Sequence, residues 1–474
     1  MEYLAFVLLL LFVLASIHVL ASSLRAWKSS LPRLPPSPKP FPIIGNILDL
    51  VGNQPHRAVS KLSKTYGPLN DSQAWEHHNH SHFLSRSSQG STVKTWTRLL
   101  QLNYHGKQPS TQPPQIFNGL AARIGSLEKP QERLVSLRVK GCVFITDHIQ
   151  PKSTGVPLID FLGLTVPESN SGQAVGIGQA AFTTILNAIS NTLFSTDLAK
   201  YCSNASQEFL EILVGTMEET TRPNIADYFP VLRFIDPQGA RRRLTIHYRN
   251  LFRILDGIIN ERLQSKASSK CSKASSDVLA SLLNLIEEDN SELSCDDIKH
   301  LLLDLFVAGI SATSSTVEWV MAELLHSLEK MAKAQKELEE VLGKDELVKE
   351  SDISKLPYLR AIVKETFRLH PPAPLLVPGK AEIDVEHMAK PNSFLPERMR
   401  FKGRDFELIP FGAGRWICLG LPFANRMVHL MLASLVHHFN WKLADEMKAK
   451  DIDMREMFGL SLHRGEPLRA IPIN

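Results

Sequence analysis

The chain has 474 residues, of which 43% are hydrophobic and 22% charged, with a formal net charge of +4 at pH 7. This is a globular composition, large enough for one big enzyme domain or two or three average domains. The mild positive balance does not indicate a nucleic-acid-binding protein, but it suits a chain near an anionic membrane surface or an acidic partner. The five cysteines form no C-x-x-C pair, so neither a zinc site nor a disulfide framework is indicated, and a reducing compartment fits best.

The N-terminus predicts a membrane anchor and a stiff spacer. Residues 4–20 form an apolar run that crosses a bilayer if it extends to about residue 26. Basic residues follow, Arg25 and Lys28, which places the bulk of the chain on the cytosolic side. A cleaved signal peptide is the alternative. We assign residues 1–24 to the anchor and 25–45 to a proline-rich hinge, too rich in proline for a helix.

Residues 69–168 differ in character from the rest of the chain. Ser, Gln and Pro dominate up to residue 114, and neither the helical nor the strand period persists. A histidine cluster opens the stretch, at His77, His78, His80 and His82. The histidines could form a metal site, but a polar loop is favoured because no second group of ligands accompanies them.

Helical periodicity returns after residue 171. It predicts helices over residues 180–194, 207–219 and 241–264, a turn-rich connection over 224–239 and a Ser/Lys-rich loop over 265–276. Ser294 and Asp297 form an N-cap pair before a segment that is apolar nearly all round. We expect a long buried helix there, running to about residue 325.

Two further helices carry ionisable or reactive side chains. Pro357 suits the first turn of a helix on which Glu365 and Arg368 lie three residues apart on one face. Residues 411–420 form a glycine-rich loop before an apolar helical run over 421–439. The loop presents Cys418 at a helix N-terminus, where N–H groups and the helix dipole favour the thiolate that ligates iron. A buried, inert thiol is the alternative.

The loop resembles the haem-binding loop of cytochromes P450, F-x-x-G-x-R-x-C-x-G. It matches at Phe411, Gly414, Cys418 and Gly420, whereas Trp416 stands at the position of the family's Arg. The resemblance implies haem b, iron protoporphyrin IX, with Cys418 as the axial iron ligand and the other three matched residues around the cofactor.

The predicted central helix resembles the A-G-x-D-T-T signature of the same family at residues 308–313. In that signature the acid and the first threonine relay protons during oxygen activation. Here these positions are Ser311 and Ala312, followed by Thr313. We expect these three catalytic positions, degenerate in this chain, to give slow or uncoupled turnover.

Glu365, Arg368 and Arg398 resemble the family's Glu/Arg/Arg network beside the haem loop, which implies a structural role for them. Three usual anchors of the haem propionates are missing: a W-x-x-x-R helix, and the arginines replaced by Gly379 and Trp416. The nearby residues that would compensate for these anchors are Arg415, Lys380 and His370.

The resemblance is to plant microsomal P450s of the geraniol 8-hydroxylase type. It implies a mainly α fold with a small β region, comprising a P450 domain over residues 46–474 on an anchor in the endoplasmic reticulum membrane and facing the cytosol. The implied activity is hydroxylation of a small apolar, terpenoid-like substrate with O₂ and with electrons from NADPH–cytochrome P450 reductase. Phe229 and Phe234 become candidate substrate or lipid contacts, with ordinary packing as the alternative.

Two departures favour other interpretations. The match is lost over residues 69–168, which we attribute to a shifted reading frame. Only 28 positions (396 − 368) separate Arg368 from Pro396, too few for the strands and short helix of the family, which indicates an internal deletion. A catalytically impaired relative that binds haem weakly or not at all is one alternative function, and a haem-retaining isomerase or dehydratase is another.

Overall fold

A computed structural model describes residues 38, 46, 55–66, 69–73, 80–84, 173–198, 204–222, 224–228, 232, 234–267, 277–287, 294–344, 346–374, 410–412, 418, 420–444 and 447–473. The chain divides into two compact units. The first comprises Met1–Lys107 and Leu375–Pro391, and the second Gln108–Pro374 and Asn392–Asn474.

In the first unit, helix α1 (Pro55–Tyr66) precedes an antiparallel hairpin of strands β1 (Leu69–Gln73) and β2 (His80–Leu84). The predicted polar loop is therefore wrong at His80 and His82, which lie in β2. Ladder hydrogen bonds satisfy backbone N–H and C=O groups whatever the side chains are, so a polar strand can form without an apolar period. The other two histidines of the cluster lie outside the described residues.

The second unit is mainly helical, as the sequence predicts. Its helices are α2 (Ile177–Phe194), α3 (Asn204–Thr221), α4 (Ile225–Tyr228), α5 (Ala240–Ala267), α6 (Val278–Glu287), α7 (Cys295–His326), α8 (Leu328–Leu342), α9 (Pro357–Leu369) and α10 (Leu421–His438). Helices α2, α3 and α5 are those predicted from periodicity, extended by up to three residues. The predicted 265–276 loop therefore begins inside a helix, because α5 continues to its third residue.

Short strands accompany the helices of this unit. Strands β3 (Val175–Gly176), β7 (Arg469–Ile473) and β4 (Asn440–Leu443) form an antiparallel sheet in that order. Strand β5 (Glu456–Met457) pairs with β6 (His463–Arg464). The described part of the chain is thus mainly α with a small β region, as expected.

Helix α7 organises the second unit. Its predicted N-cap is confirmed as a capping box, in which the Asp297 N–H donates to Ser294 Oγ (3.2 Å) and the Ser294 N–H donates to the Asp297 carboxylate (3.0 Å). Helices α2, α8, α9 and α10 and strand β6 pack around it, and Trp319 in its second half is fully buried.

Within the described ranges, α7 is also the one helix long and apolar enough to cross a membrane, yet most of its apolar window is buried against protein. It is therefore a core helix. The predicted anchor at residues 1–24 lies outside the described residues.

Candidate functional site

Cys418 lies where the glycine-rich loop turns into α10. Its N–H donates to the Phe411 carbonyl (2.8 Å) and its own carbonyl accepts from the Leu421 N–H (3.2 Å), so both sides of the residue are fixed. Gly412 has a φ of +73°, a left-handed conformation that favours glycine. Gly420 has a φ of −78° at the N-cap of α10. The glycines of the loop therefore serve different purposes, and only Gly412 of these two needs its conformational freedom.

The thiol of Cys418 is less acidic than the sequence suggests. Burial raises its pKa, and this outweighs the backbone N–H groups of Gly420 and Leu421, which lower it. The residue nevertheless keeps exposed surface. The N–H groups at the helix N-terminus thus favour the thiolate, as expected, but burial outweighs their effect on the pKa of Cys418. The two N–H groups would stabilise the thiolate once a metal ion displaces its proton.

Phe411 connects this loop to α9. Its ring packs edge-on against Phe367, with 5.2 Å between the ring centroids, and Phe367 is buried. The loop therefore rests on the helix that carries Glu365 and Arg368. Two predicted loop residues, Gly414 and Arg415, lie outside the described residues.

Glu365 and Arg368 form the predicted ion pair. The Arg368 guanidinium donates to both carboxylate oxygens of Glu365, at 2.7 and 2.8 Å, in a bidentate arrangement. Glu365 is fully buried and the Arg368 side chain is 8% exposed. A bidentate pair in such surroundings fixes the end of α9. The third member of the predicted network, Arg398, lies outside the described residues.

The structure corrects the expectation for His370. Its Nε2 lies 2.8 Å from a Glu323 carboxylate oxygen and its Nδ1 lies 3.2 Å from one of Glu456. The ring also stacks on Trp319, with 3.9 Å between centroids. Both ring nitrogens are thus taken by carboxylates, which rules out the expected role as a propionate partner.

His370 instead joins three elements of the second unit, since it follows α9 and contacts α7 and β5. Burial lowers the pKa of His370, but its two carboxylate partners, Glu323 and Glu456, raise it more, so the net pKa is above the ordinary value. We call His370, Glu323 and Glu456 the histidine clasp. Sequence reasoning missed it because its members are 47 and 86 residues apart.

The signature positions of α7 differ in their surroundings. The Thr313 hydroxyl donates to the Gly309 carbonyl of its own helix (2.7 Å), and Ser311 Oγ lies 2.5 Å from Ser461 Oγ. Ala312 is half-buried and Ala308 is exposed, although most of α7 is buried. Thr313 therefore does not project a free hydroxyl in place of the missing threonine.

Gly309 has a packing role that the sequence did not reveal. A Cβ added there would lie 2.8 Å from Cδ1 of Ile189 on α2. A small residue is needed at this position because two helices approach each other closely there.

The described residues fit a haem group. Cys418 is an exposed residue whose thiol is flanked by two N–H groups, which is the donor chemistry of a thiolate ligand. Ala308 gives α7 a small, exposed surface at mid-helix that a flat ring could approach. These are the residues that would ligate and cover the group.

A cavity of about 870 Å³ lies beside α7. One wall is a stripe of α7 residues at helical spacing, Ser311, Ser314, Ser315 and Glu318, joined by Ser461 and His463 near the end of the chain. The rest of the lining mixes apolar side chains, Val175, Phe182, Val214 and Met217, with the polar ones of Gln173, Gln179 and Glu218. The spacing of the α7 residues was visible in the sequence, but the partners across the cavity were not.

Comparisons with known proteins indicate the family of this chain. The family model described as Cytochrome P450 matches residues 164–389 and 387–468. The two ranges meet where the sequence predicts an internal deletion. The first 163 residues lie outside the matched ranges.

Similar proteins cover nearly the whole chain. Cytochrome P450 76T24 of Catharanthus roseus is 42% identical over 97% of this chain and 96% of its own length. Geraniol 8-hydroxylase of the same plant is 37% identical over 100% and 99%, and drimenol monooxygenase of Persicaria hydropiper is 38% identical over 97% and 97%. These alignments also extend across the 69–168 stretch, whose attribution to a shifted reading frame stays a prediction.

Proposed function

Because this chain belongs to the cytochrome P450 family, we propose that it is a membrane-anchored monooxygenase that hydroxylates a small apolar, terpenoid-like substrate. The observation that carries the proposal is the exposed Cys418 just before α10, with the N–H groups of Gly420 and Leu421 beside its thiol. Haem bound there supplies the oxygen chemistry, with O₂ and with electrons from NADPH through a flavoprotein reductase.

Support for the substrate class comes from the relatives. Two of them are named for acting on geraniol and on drimenol. We infer a substrate of similar size and polarity for this chain, and an anchor at residues 1–24 with a hinge at 25–45 that holds the P450 domain at the endoplasmic reticulum membrane. Phe234 is 93% exposed, so packing within the second unit does not explain it and a lipid contact does.

Several of the described residues named above would have distinct roles at the haem site. Cys418 ligates iron, Phe411 and Gly412 shape the loop around it, and the buried Glu365–Arg368 pair holds the neighbouring helix. Proton delivery is the weak step, because Ala312 has no hydroxyl and that of Thr313 is bound to its own helix. We therefore propose a monooxygenase with poor coupling of NADPH oxidation to product.

The test of the haem site is a carbon monoxide difference spectrum of the reduced, membrane-expressed full chain beside Cys418→Ala. A thiolate-type band that the substitution abolishes supports the proposal. No band, with the protein folded in the membrane fraction, would refute it and leave the impaired, haem-free relative as the better description.

The test of coupling is Ala312→Thr, which restores the hydroxyl. We expect the product formed per NADPH to rise on the order of tenfold, since positioned proton transfer contributes at least that much. Unchanged coupling would show that the missing hydroxyl is not the limit. Product formed equally well without NADPH would instead indicate an isomerase or dehydratase.

A further inference from the structure

The hydroxyl groups of Ser311 and Ser461 on the cavity wall have two O–H donors between them, and the hydrogen bond that joins them uses only one. Ser311 Oγ and Ser461 Oγ lie 2.5 Å apart, so one donates to the other. Each hydroxyl has one O–H donor, which leaves one donor of the pair with no acceptor among the described residues. The neighbouring Ser314 and Ser315 differ, because their hydroxyls donate to backbone carbonyls at 2.8 and 2.6 Å.

This serine pair, Ser311 and Ser461, lies in surroundings where a spare donor is costly. Ser461 is 4% exposed and Ser311 is half-buried. A buried donor without a partner loses its hydration without replacement, so an oxygen atom of a ligand would stabilise the site. Since apolar side chains such as Phe182, Val214 and Met217 line the cavity beside the polar ones, the ligand should have a hydrocarbon part as well as this oxygen.

Acidic and basic side chains both line the cavity, namely Glu218, Glu318 and Arg469, so no single sign of charge dominates it. Serine at position 311 replaces the acid of the family signature, which removes a carboxylate from this wall. Glu318 on the same wall accepts from the Leu468 N–H (2.8 Å), and burial raises its pKa. The exposed Arg469 supplies a cationic side chain, and His463 Nδ1 lies 3.1 Å from the Ser461 carbonyl.

The serine pair is also suitably placed along α7. Ser311 precedes Ala312 by one residue, which is about 1.5 Å along the helix and about 100° around it. The pair therefore lies next to the face that carries Ala308 and Ala312, and not on that face. An oxygen held at the pair would lie beside this face, although the two alanines do not themselves line the cavity.

We propose that the serine pair recognises the oxygen atom of a neutral, otherwise apolar substrate, such as a terpenoid alcohol. The inference rests on the proposed function for the substrate class, and it deepens that function by naming the group that is recognised. The binding step involves a hydrogen bond from the free hydroxyl of the pair to the substrate oxygen, and no covalent change.

The experiment compares two radiolabelled probes on the full chain in nanodiscs, geraniol and the hydrocarbon with the same skeleton but no hydroxyl group. Equilibrium dialysis, corrected for binding to empty nanodiscs, gives the preference for the alcohol. One hydrogen bond to a buried donor predicts a preference of about tenfold. In the double variant Ser311→Ala/Ser461→Ala it should fall to about twofold or less.

Matched controls separate recognition from folding. Ser434→Ala removes another buried serine hydroxyl, one that donates to the Leu430 carbonyl within α10, and it should keep the full preference. The single variants Ser311→Ala and Ser461→Ala each retain one hydroxyl and should give partial preference, so the result does not depend on the double variant alone.

Two results would overturn the inference: a wild-type chain with no preference for the alcohol, or a preference that survives in the single and double variants. Dialysis does not require turnover. If the carbon monoxide band is absent but the preference is present, the proposed activity fails and the binding site stands. If the band is present but the preference is absent, the inference about the serine pair fails and the proposed activity stands.

Discussion

Replacement of His370 by glutamine tests the histidine clasp. The ring is 8% exposed and bridges two buried carboxylates, at 2.8 Å to Glu323 and 3.2 Å to Glu456. An amide carries no charge, so the variant removes the protonated ring that bridges the two carboxylates and leaves Arg464 as the neighbouring cation. Breaking a buried pair of this kind costs about 3–5 kcal/mol of the free energy of unfolding. We expect His370→Gln to lose that amount near pH 6.

The loss should depend on pH, with a defined sign. The folded-state pKa of His370 lies above its ordinary value of 6.5, because its carboxylate partners outweigh the effect of burial. The folded chain therefore keeps a proton that the unfolded chain releases above about pH 6.5. The stability due to the clasp is fully present below that pH and is lost as pH rises through the folded-state pKa. The difference between wild type and variant should shrink from pH 6 to pH 9.

Equilibrium unfolding of the full chain in guanidinium chloride, followed by tryptophan fluorescence in detergent, measures both quantities. His326→Gln is the matched control, since His326 is exposed at the end of the same helix that carries Glu323. It should change stability by less than about 0.5 kcal/mol at every pH. A loss below about 1 kcal/mol for His370→Gln, or a loss that does not vary with pH, would refute the reasoning.

Three further substitutions test other contacts. Gly309→Ala should destabilise the chain by about 1–3 kcal/mol in thermal unfolding, because the new Cβ would meet Ile189 Cδ1 at 2.8 Å. Ile189→Val removes that atom and should relieve part of the loss. An equal loss in both backgrounds would contradict this explanation. Glu365→Gln should lower stability by about 3 kcal/mol or more in denaturant unfolding, because it leaves the nearly buried Arg368 beside a neutral partner; a loss within 0.5 kcal/mol would show that the pair is dispensable. Phe234→Trp should fluoresce with strong quenching by brominated lipids in nanodiscs, relative to the wild-type chain, whereas no added quenching would place this side chain in water.

Features that depend on residues a few positions apart were predictable from the sequence. The Ser294–Asp297 capping box and the Glu365–Arg368 pair each involve a spacing of three residues, which helix geometry alone brings together. The positions of α2, α3 and α5 followed from apolar periodicity for the same reason. The spacing around Cys418 was enough to identify the family, because a ligand loop is a local feature.

Features that depend on distant parts of the chain required the tertiary structure. The serine pair joins residues 150 positions apart, and Gly309 meets a side chain on another helix. The pKa of Cys418 is the clearest case: its neighbours in the sequence lower it, but the partial burial of the thiol raises it more. The sequence by itself determined the helices, the caps and the family. Only the packing of α7 against α2 and the C-terminal strands decided which polar groups are buried together, because that requires the chain to return on itself.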